Sequence, residues 1–341
     1  MKGALFVAAL FLFIACRTPS GGGTDAGISL DANSADAAPQ GVCDPYEARP
    51  QIPEVFIGPE GLEDRLLSYI NAAQTELWVL MYLITLDQFV DAIVAAHQRG
   101  VSVRVILDRA HPGNVDARAS LLANGVPMKN SPEEFTHSHS KVFLIDNSMA
   151  VVMSSNLNYW SMISERNYGV VNRDTDDIAD IRAIIERDWS GGAFPDLNCT
   201  RLFVSPNNSR QRMLQHINTA AESIAASVMY ISDESIRTAL VQRQEAGVQV
   251  RVLLADPEWM DGNAETADFL LNNGVQVRVM KDVQLHAKLV IADDIPFLGS
   301  QNLSFTSLTA NREVGLLVNN EVQAQRVITQ FEADWNVGVA P

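Results

Sequence analysis

HSKVFLID at residues 139–146 and HAKLVIAD at residues 286–293 are two versions of one sentence: a His-x-Lys triplet, an apolar run, and a closing aspartate. Other landmarks recur around them in the same order. AHQRGVSVRVILD (96–108) returns as RQEAGVQVRVLLAD (243–256), LLANGV (121–126) as LLNNGV (270–275), and MSSN (153–156) as GSQN (299–302). Both halves end on Asp-Trp, at Trp189 and Trp335. Landmarks in fixed order at a nearly constant offset mark an internal duplication.

Each half alternates helical and extended patterns. Leu62, Leu66 and Ile70 are spaced for one helix face, and Leu86, Phe89, Ile93 and Ala96 for another, which Gly100 stops. Glu76 to Ile84 and Val101 to Leu107 read as strands, Ala117 to Asn124 as a short helix closed by Gly125, and 175–189 as a last helix. HSKVFLI and AVVMS read as strands separated by Asp146-Asn147. The second half repeats the scheme. The expected fold is α/β: two similar domains, 52–193 and 198–339, each a mixed β-sheet flanked by helices, related by a pseudo-two-fold axis with the motif strands meeting at the interface.

Residues two apart on a strand share a face, so His139 and Lys141 point one way, as do His286 and Lys288. An imidazole beside an ammonium suits an anionic substrate. Asp146 and Asp293 lie an odd number of positions beyond each lysine, on the opposite face, and read as structural residues at strand ends. Ser154 and Asn156, and their repeats Ser300 and Asn302, offer hydroxyl and amide groups that hydrogen-bond phosphate oxygens. Glu165 and Glu313 follow, and a carboxylate is a suitable partner for one ring nitrogen of a histidine. His137 has no counterpart in the second half and reads as a rim residue. His97, His111 and His216 read as surface residues. Asp174, Asp176 and Asp177 open a helix, where acidic residues serve as a cap and as dipole partners rather than as metal ligands.

These residues together resemble the phospholipase D superfamily, whose signature is His-x-Lys, four residues, Asp, then Gly-Ser-x-Asn and a later acidic or amide residue. The second half matches with His286, Lys288, Asp293, Gly299, Ser300, Asn302 and Glu313. The first matches with His139, Lys141, Asp146, Ser154, Asn156 and Glu165, with Met153 in place of the glycine. The resemblance runs from about Pro53 to Trp335. It implies a two-step displacement at phosphorus, in which His139 attacks and His286 protonates the leaving alcohol and then activates the acceptor. Lys141, Lys288, Asn156 and Asn302 would hold the non-bridging oxygens, and no metal or other cofactor is implied. It also implies crossed support, Glu313 on His139 and Glu165 on His286.

The leading functional expectation is hydrolysis or transfer of the phosphatidyl group of a phospholipid. A metal-independent nuclease is the alternative. With 41 acidic against 25 basic residues the formal net charge is -16, which repels an extended polyanion unless cations gather on one face. Nucleic acid therefore ranks below lipid as a partner without being dismissed. A non-catalytic cell-surface binder ranks third, since a binder has no need of both histidines and both lysines. Cardiolipin synthesis ranks behind phospholipid cleavage because no second apolar segment is long enough to enter a bilayer.

The first residues, MKGALFVAALFLFIAC, place Lys2 before an apolar run too short for a comfortable span and read as a secretory signal over 1–16. Phe13-Ile14-Ala15-Cys16 resembles a bacterial lipoprotein signal, with Cys16 lipidated. Ordinary cleavage near Ala15 without lipid stays open. Residues 17–51 begin with a Gly, Ala, Ser and Asp-rich stretch and read as a flexible tether. The expected location is the cell envelope, outside the cytoplasm, with the protein a monomer anchored to a bacterial membrane by its lipid. Cys43 and Cys199 are the remaining thiols, and an oxidising compartment permits them to pair.

Overall fold

The computed structural model describes residues 43–197 and 199–341. The signal, Cys16 and the tether up to residue 42 lie outside the described residues. In the first half the order is β1 (Glu54–Gly58), α1 (Leu62–Ala72), β2 (Glu76–Met81), α2 (Asp87–Gln98), β3 (Ser102–Leu107), α3 (Val115–Ala123), β4 (Met128–Asn130), β5 (Lys141–Ile145), β6 (Met149–Met153), α4 (Tyr159–Ile163), β7 (Glu165–Asn172) and α5 (Thr175–Ser190). The second half runs β8 (Phe203–Ser205), α6 (Ser209–Thr219), β9 (Ser223–Val228), α7 (Glu234–Glu245), β10 (Gln249–Ala255), α8 (Gly262–Asn272), β11 (Gln276–Met280), β12 (Gln284–Leu285), β13 (Lys288–Ala292), β14 (Ile295–Gly299), α9 (Phe305–Thr309), β15 (Glu313–Leu317) and α10 (Glu321–Val337).

The two sheets share one topology. The first is ordered β1-β7-β6-β5-β2-β3-β4 and the second β8-β15-β14-β13-β9-β10-β11, each parallel at the end nearest its third strand and antiparallel elsewhere. The expected mixed sheets flanked by helices are therefore present, once in each half. Outer helices α1 and α2 pack on the first sheet through Leu62, Leu66, Ile70, Phe89 and Ile93, and Ile217, Ile236 and Leu240 do the same on the second. A third core joins the halves, drawing Tyr168, Val170, Val314 and Leu316 from the sheets, Ile181 and Ile185 from α5, and Val327, Phe331 and Trp335 from α10. Strand β12 crosses this junction and pairs in parallel with β7 of the other half.

Two buried ion pairs also cross it. Arg166 on β7 donates to Asp334 on α10 at 2.9 and 3.1 Å, and Arg312, just before β15, donates to Asp188 on α5 at 2.8 and 3.1 Å. The Asp-Trp pair that closes each repeat thus reaches into the opposite half.

Residues 43–51 depart from the tether expected through residue 51. Cys43 and Cys199 form a disulfide, the Tyr46 hydroxyl meets His216 Nδ1 at 2.9 Å, and buried Arg49 pairs with Asp177 and donates to the Leu317 carbonyl at 2.9 Å. Composition showed too little apolar content to order this stretch, but its few long side chains find partners already fixed by the domain. His216 is likewise corrected from surface to interior: it is fully buried, with Nε2 3.3 Å from the Val290 carbonyl. The disulfide closes a loop with a sequence separation of 156. Replacing both cysteines with serine is expected to lower stability by about 2–5 kcal/mol through the freed unfolded chain, read as a lower denaturant midpoint.

Candidate active site

The site lies where the motif segments of the two halves meet. His139 sits just before β5, and its backbone N–H donates to the Arg312 carbonyl of the other half at 2.9 Å. His286 stands between β12 and β13, its N–H donating to the Arg166 carbonyl at 3.2 Å. Both histidines are thus pinned by the opposite half. Lys141 and Lys288 open β5 and β13, both buried, and each folds back to donate to the carbonyl of its own motif histidine, at 2.6 and 2.7 Å.

The partners on the ring nitrogens differ between the halves. Nδ1 of His139 lies 3.1 and 3.0 Å from the two oxygens of Glu313, so the crossed support on this side takes the expected form. Nδ1 of His286 donates instead to Oδ1 of Asn167 at 3.0 Å, with Glu165 farther off at 3.7 Å. The reason is register. Met153 pairs with Gly169 on β6 and β7, and Gly299 with Gly315 on β14 and β15. Counting back from those glycines sets Asn167 opposite Glu313 in the repeat and Glu165 opposite Asn311. Aligning Glu with Glu by residue type hid this exchange of acid and amide. Glu165-Arg166-Asn167 against Asn311-Arg312-Glu313 was its sequence signal.

Both glutamates are held from behind. Ser307 Oγ donates to Glu313 at 2.6 Å and Asn311 Nδ2 at 3.2 Å. Ser161 Oγ donates to Glu165 at 2.5 Å. Ser154 Oγ donates to the same Asn167 oxygen that holds His286, at 2.7 Å. Ser300 takes the equivalent place, accepting the Val314 N–H at 3.2 Å. Asn156 and Asn302 are buried, and among the described residues neither side-chain oxygen has a hydrogen-bond partner. An amide oxygen left unpaired at the same place in both repeats is an acceptor open to a donor group.

Sequence reasoning also missed a pair of tyrosines in the Met-Tyr repeated at the ends of β2 and β9. The Tyr82 ring lies edge-on to His139, 4.5 Å between centroids, with the Lys141 ammonium 4.8 Å from its centre. His111 and His137 flank the same ring at 4.8 and 5.8 Å, which puts His137 at the rim as expected. Tyr230 is its repeat. Trp259 and Met260, on the loop after β10, pack against the core that joins the halves. Asp146 and Asp293 serve the framework: each, at a positive φ that aspartate tolerates, accepts three successive backbone N–H groups, from Gln74 to Glu76 and from Ala221 to Ser223. Met153 lies in the outer core away from the histidines. Gly299 faces Gly315 so closely that an added Cβ would sit 2.6 Å from the latter's Cα. Asp174 caps α5 by accepting from Asp176 and Asp177 N–H at 3.1 Å, as its position predicts.

The family profile described as "Cardiolipin synthase, PLD-like domain" matches residues 66–189 and again 213–335. The chain belongs to the phospholipase D superfamily. A cardiolipin synthase from Clostridium perfringens (strain SM101 / Type A) is 23% identical over 83% of this chain and 70% of its own length. Phospholipase D Z from Dictyostelium discoideum is 23% identical over 72% and 74%. The solved phosphatidylserine synthase of Haemophilus influenzae Rd KW20 shares the fold with a TM-score of 0.64, at 15% identity over 84% of this chain and 85% of that one. This superfamily enzyme therefore works by phosphatidyl transfer or phosphodiester cleavage.

Burial governs the charge states in its site. It lowers His139 to about 4 despite the Glu313 carboxylate, with Lys141 and Lys288 adding to the effect. His286 goes well below the usual histidine value, through burial and then Lys288, Lys141 and His139. Burial also lowers Lys288 to about 7 against the pull of Glu165 and Glu313, and takes Lys141 well below the usual lysine value. Burial alone would raise Glu313, yet His139 and Lys141 bring it below the usual carboxylate value. With Nδ1–H of each ring committed, Nε2 of each neutral histidine carries a free lone pair.

Two consequences for pH follow. Lys288 is useful to an anion only as the ammonium, so kcat/KM is expected to fall as pH rises through about 7. A bound phosphodiester adds a negative charge beside both rings and favours imidazolium. Binding a phosphate analogue should therefore take up a proton, measurable as a dependence of the calorimetric heat on buffer ionisation enthalpy.

Proposed function

We propose that this protein cleaves the phosphodiester of a phospholipid, passing the phosphatidyl group first to His139 and then to water or an alcohol. The supporting observation is one buried site in which two histidines, each oriented on Nδ1 by the other half, share two lysines. The names of the cardiolipin synthase and phospholipase D relatives favour a lipid, and so does the acidic chain. Nε2 of His139 attacks phosphorus, the bond to the head-group oxygen breaks, and His286, protonated on Nε2 by the proton taken up when the diester binds, gives that proton to the oxygen. His286 then takes a proton from the acceptor, whose oxygen attacks phosphorus as the P–N bond breaks and His139 is restored.

The exchange of acid and amide supports this order. A phosphorylated imidazole ring is positive, and Glu313 offers it a full negative charge. The amide of Asn167 orients His286 without stabilising its cation, which leaves that ring a stronger acid.

The test is incubation of purified protein with mixed phospholipid vesicles and with plasmid DNA, without added metal. Phosphatidic acid is the expected product, and with glycerol present phosphatidylglycerol reports transfer. Nicked plasmid with intact lipid would replace this reading with the nuclease one.

A further inference from the structure

We infer that the short helices α4 and α9 form a docking surface for the neutral interface of a lipid bilayer, beside the site. This rests on the phospholipid reading and deepens it. Both helices are fastened to the site from within, through Ser161 on Glu165 and Ser307 on Glu313. Their ends touch the segments that lead into the opposite histidines: the Ser164 carbonyl accepts from Gln284 N–H, and the Ala310 carbonyl from Thr136 N–H. The N-cap of α9, Ser304, lies 3.4 Å from the Tyr230 hydroxyl.

Among the described residues, the outer faces of these helices are apolar and exposed. Tyr159, Trp160 and Ile163 are 55%, 54% and 49% exposed, and Phe305 at the matching place is 60% exposed. Isolated exposed apolar residues need no explanation, but four on the two helices that brace one site do. Residues 147–164 and 295–311 hold no Asp, Glu, Lys or Arg, runs of 18 and 17 residues in a chain with 66 such side chains. Arg210 lies over the Phe305 ring but is bound to Asp233.

That chemistry selects the partner. A protein with net charge -16 is repelled by an anionic surface, and only an uncharged face lets it approach lipid. Trp and Tyr settle at the level of the head groups, with the ring in the acyl boundary and the polar edge in water. Helices of five residues are too short to lie in the membrane as anchors, so the contact is shallow and positions the site over a head group.

The experiment uses the full chain and phosphatidylcholine vesicles with brominated acyl chains. Trp160 fluorescence is expected to be quenched, with the quenching lost in Trp160→Phe. The triple variant Tyr159→Ala, Trp160→Ala, Phe305→Ala should lose about tenfold or more of its rate on phosphatidylcholine vesicles. It should keep its rate on bis(p-nitrophenyl) phosphate, which also shows that it folds. Unquenched Trp160, an unchanged vesicle rate, or equal loss on both substrates would overturn the docking surface. So would loss of a concentration-dependent dimer in place of vesicle binding, which would make this face an interface between copies. Vesicles that quench Trp160 without being cleaved would leave the docking surface standing and remove the substrate reading. Cleavage of dispersed short-chain lipid without quenching by vesicles would do the reverse.

Discussion

His139→Asn is expected to lower kcat by about 10⁴-fold or more on any phosphodiester, because it removes the nitrogen that forms the covalent intermediate. The contrast with His286→Asn makes this specific. If His286 only protonates the leaving group in the first step, a p-nitrophenyl ester needs little of that help. His286→Asn should then still release a first equivalent of nitrophenol rapidly and stall at the phosphohistidine, whereas His139→Asn should release none. A burst from His139→Asn and none from His286→Asn would reverse the two roles. Glu313→Gln should slow the first step more than Asn167→Ala does, since only the former removes a negative charge from the attacking ring.

The largest expected effect on stability comes from Asp188→Ala. Arg312 is wholly buried, its guanidinium 4.2 and 4.6 Å from the ring centres of Phe135 and Phe194, and the Asp188 carboxylate is its paired charge. Removing that carboxylate leaves an uncompensated buried cation, at a cost of about 3–5 kcal/mol. The Ser205 carbonyl, accepting at 2.7 Å, offsets only part of it. Because the Arg312 carbonyl also fixes the His139 N–H, activity should fall before the protein unfolds. The double variant Asp188→Leu, Arg312→Met discriminates: with both charges gone, denaturant unfolding should recover most of the loss. A double variant as unstable as the single one would show that the unpaired charge was not the cause.

The duplication was legible because a repeat displays its pattern twice, and a His-x-Lys triplet that is ambiguous alone becomes specific when it returns with the same neighbours. That was enough to reach the two α/β halves and to mark both histidines and both lysines, whereas the hydroxyls of Ser154 and Ser300, expected to hold phosphate, turn to Asn167 and to the Val314 backbone. Helices and strands followed from apolar spacing, since burial of one face is a local property of the chain. Glu313 was also reached, because a carboxylate late in the motif is a strong residue type.

Asn167 was not, although it stands in the same segment as Glu165. Which of two polar residues meets a histidine depends on the register of β7 against β6, and a shift of two positions leaves the apolar pattern unchanged. Arg166 with Asp334 and Arg312 with Asp188 were beyond reach for a related reason: each joins positions more than 120 residues apart, and their charges look solvated until the junction closes around them. Tyr46, Arg49 and His216 tell the same story at the N-terminal edge, where a polar-looking stretch becomes ordered only because the domain presents partners to it. Local periodicity and repetition suffice to place elements and mark chemistry-bearing residues. The pairing of polar groups across the junction, and with it the inequality of the two histidines, comes from tertiary packing, where desolvation makes each buried donor or charge take whichever partner the closed interface brings within reach.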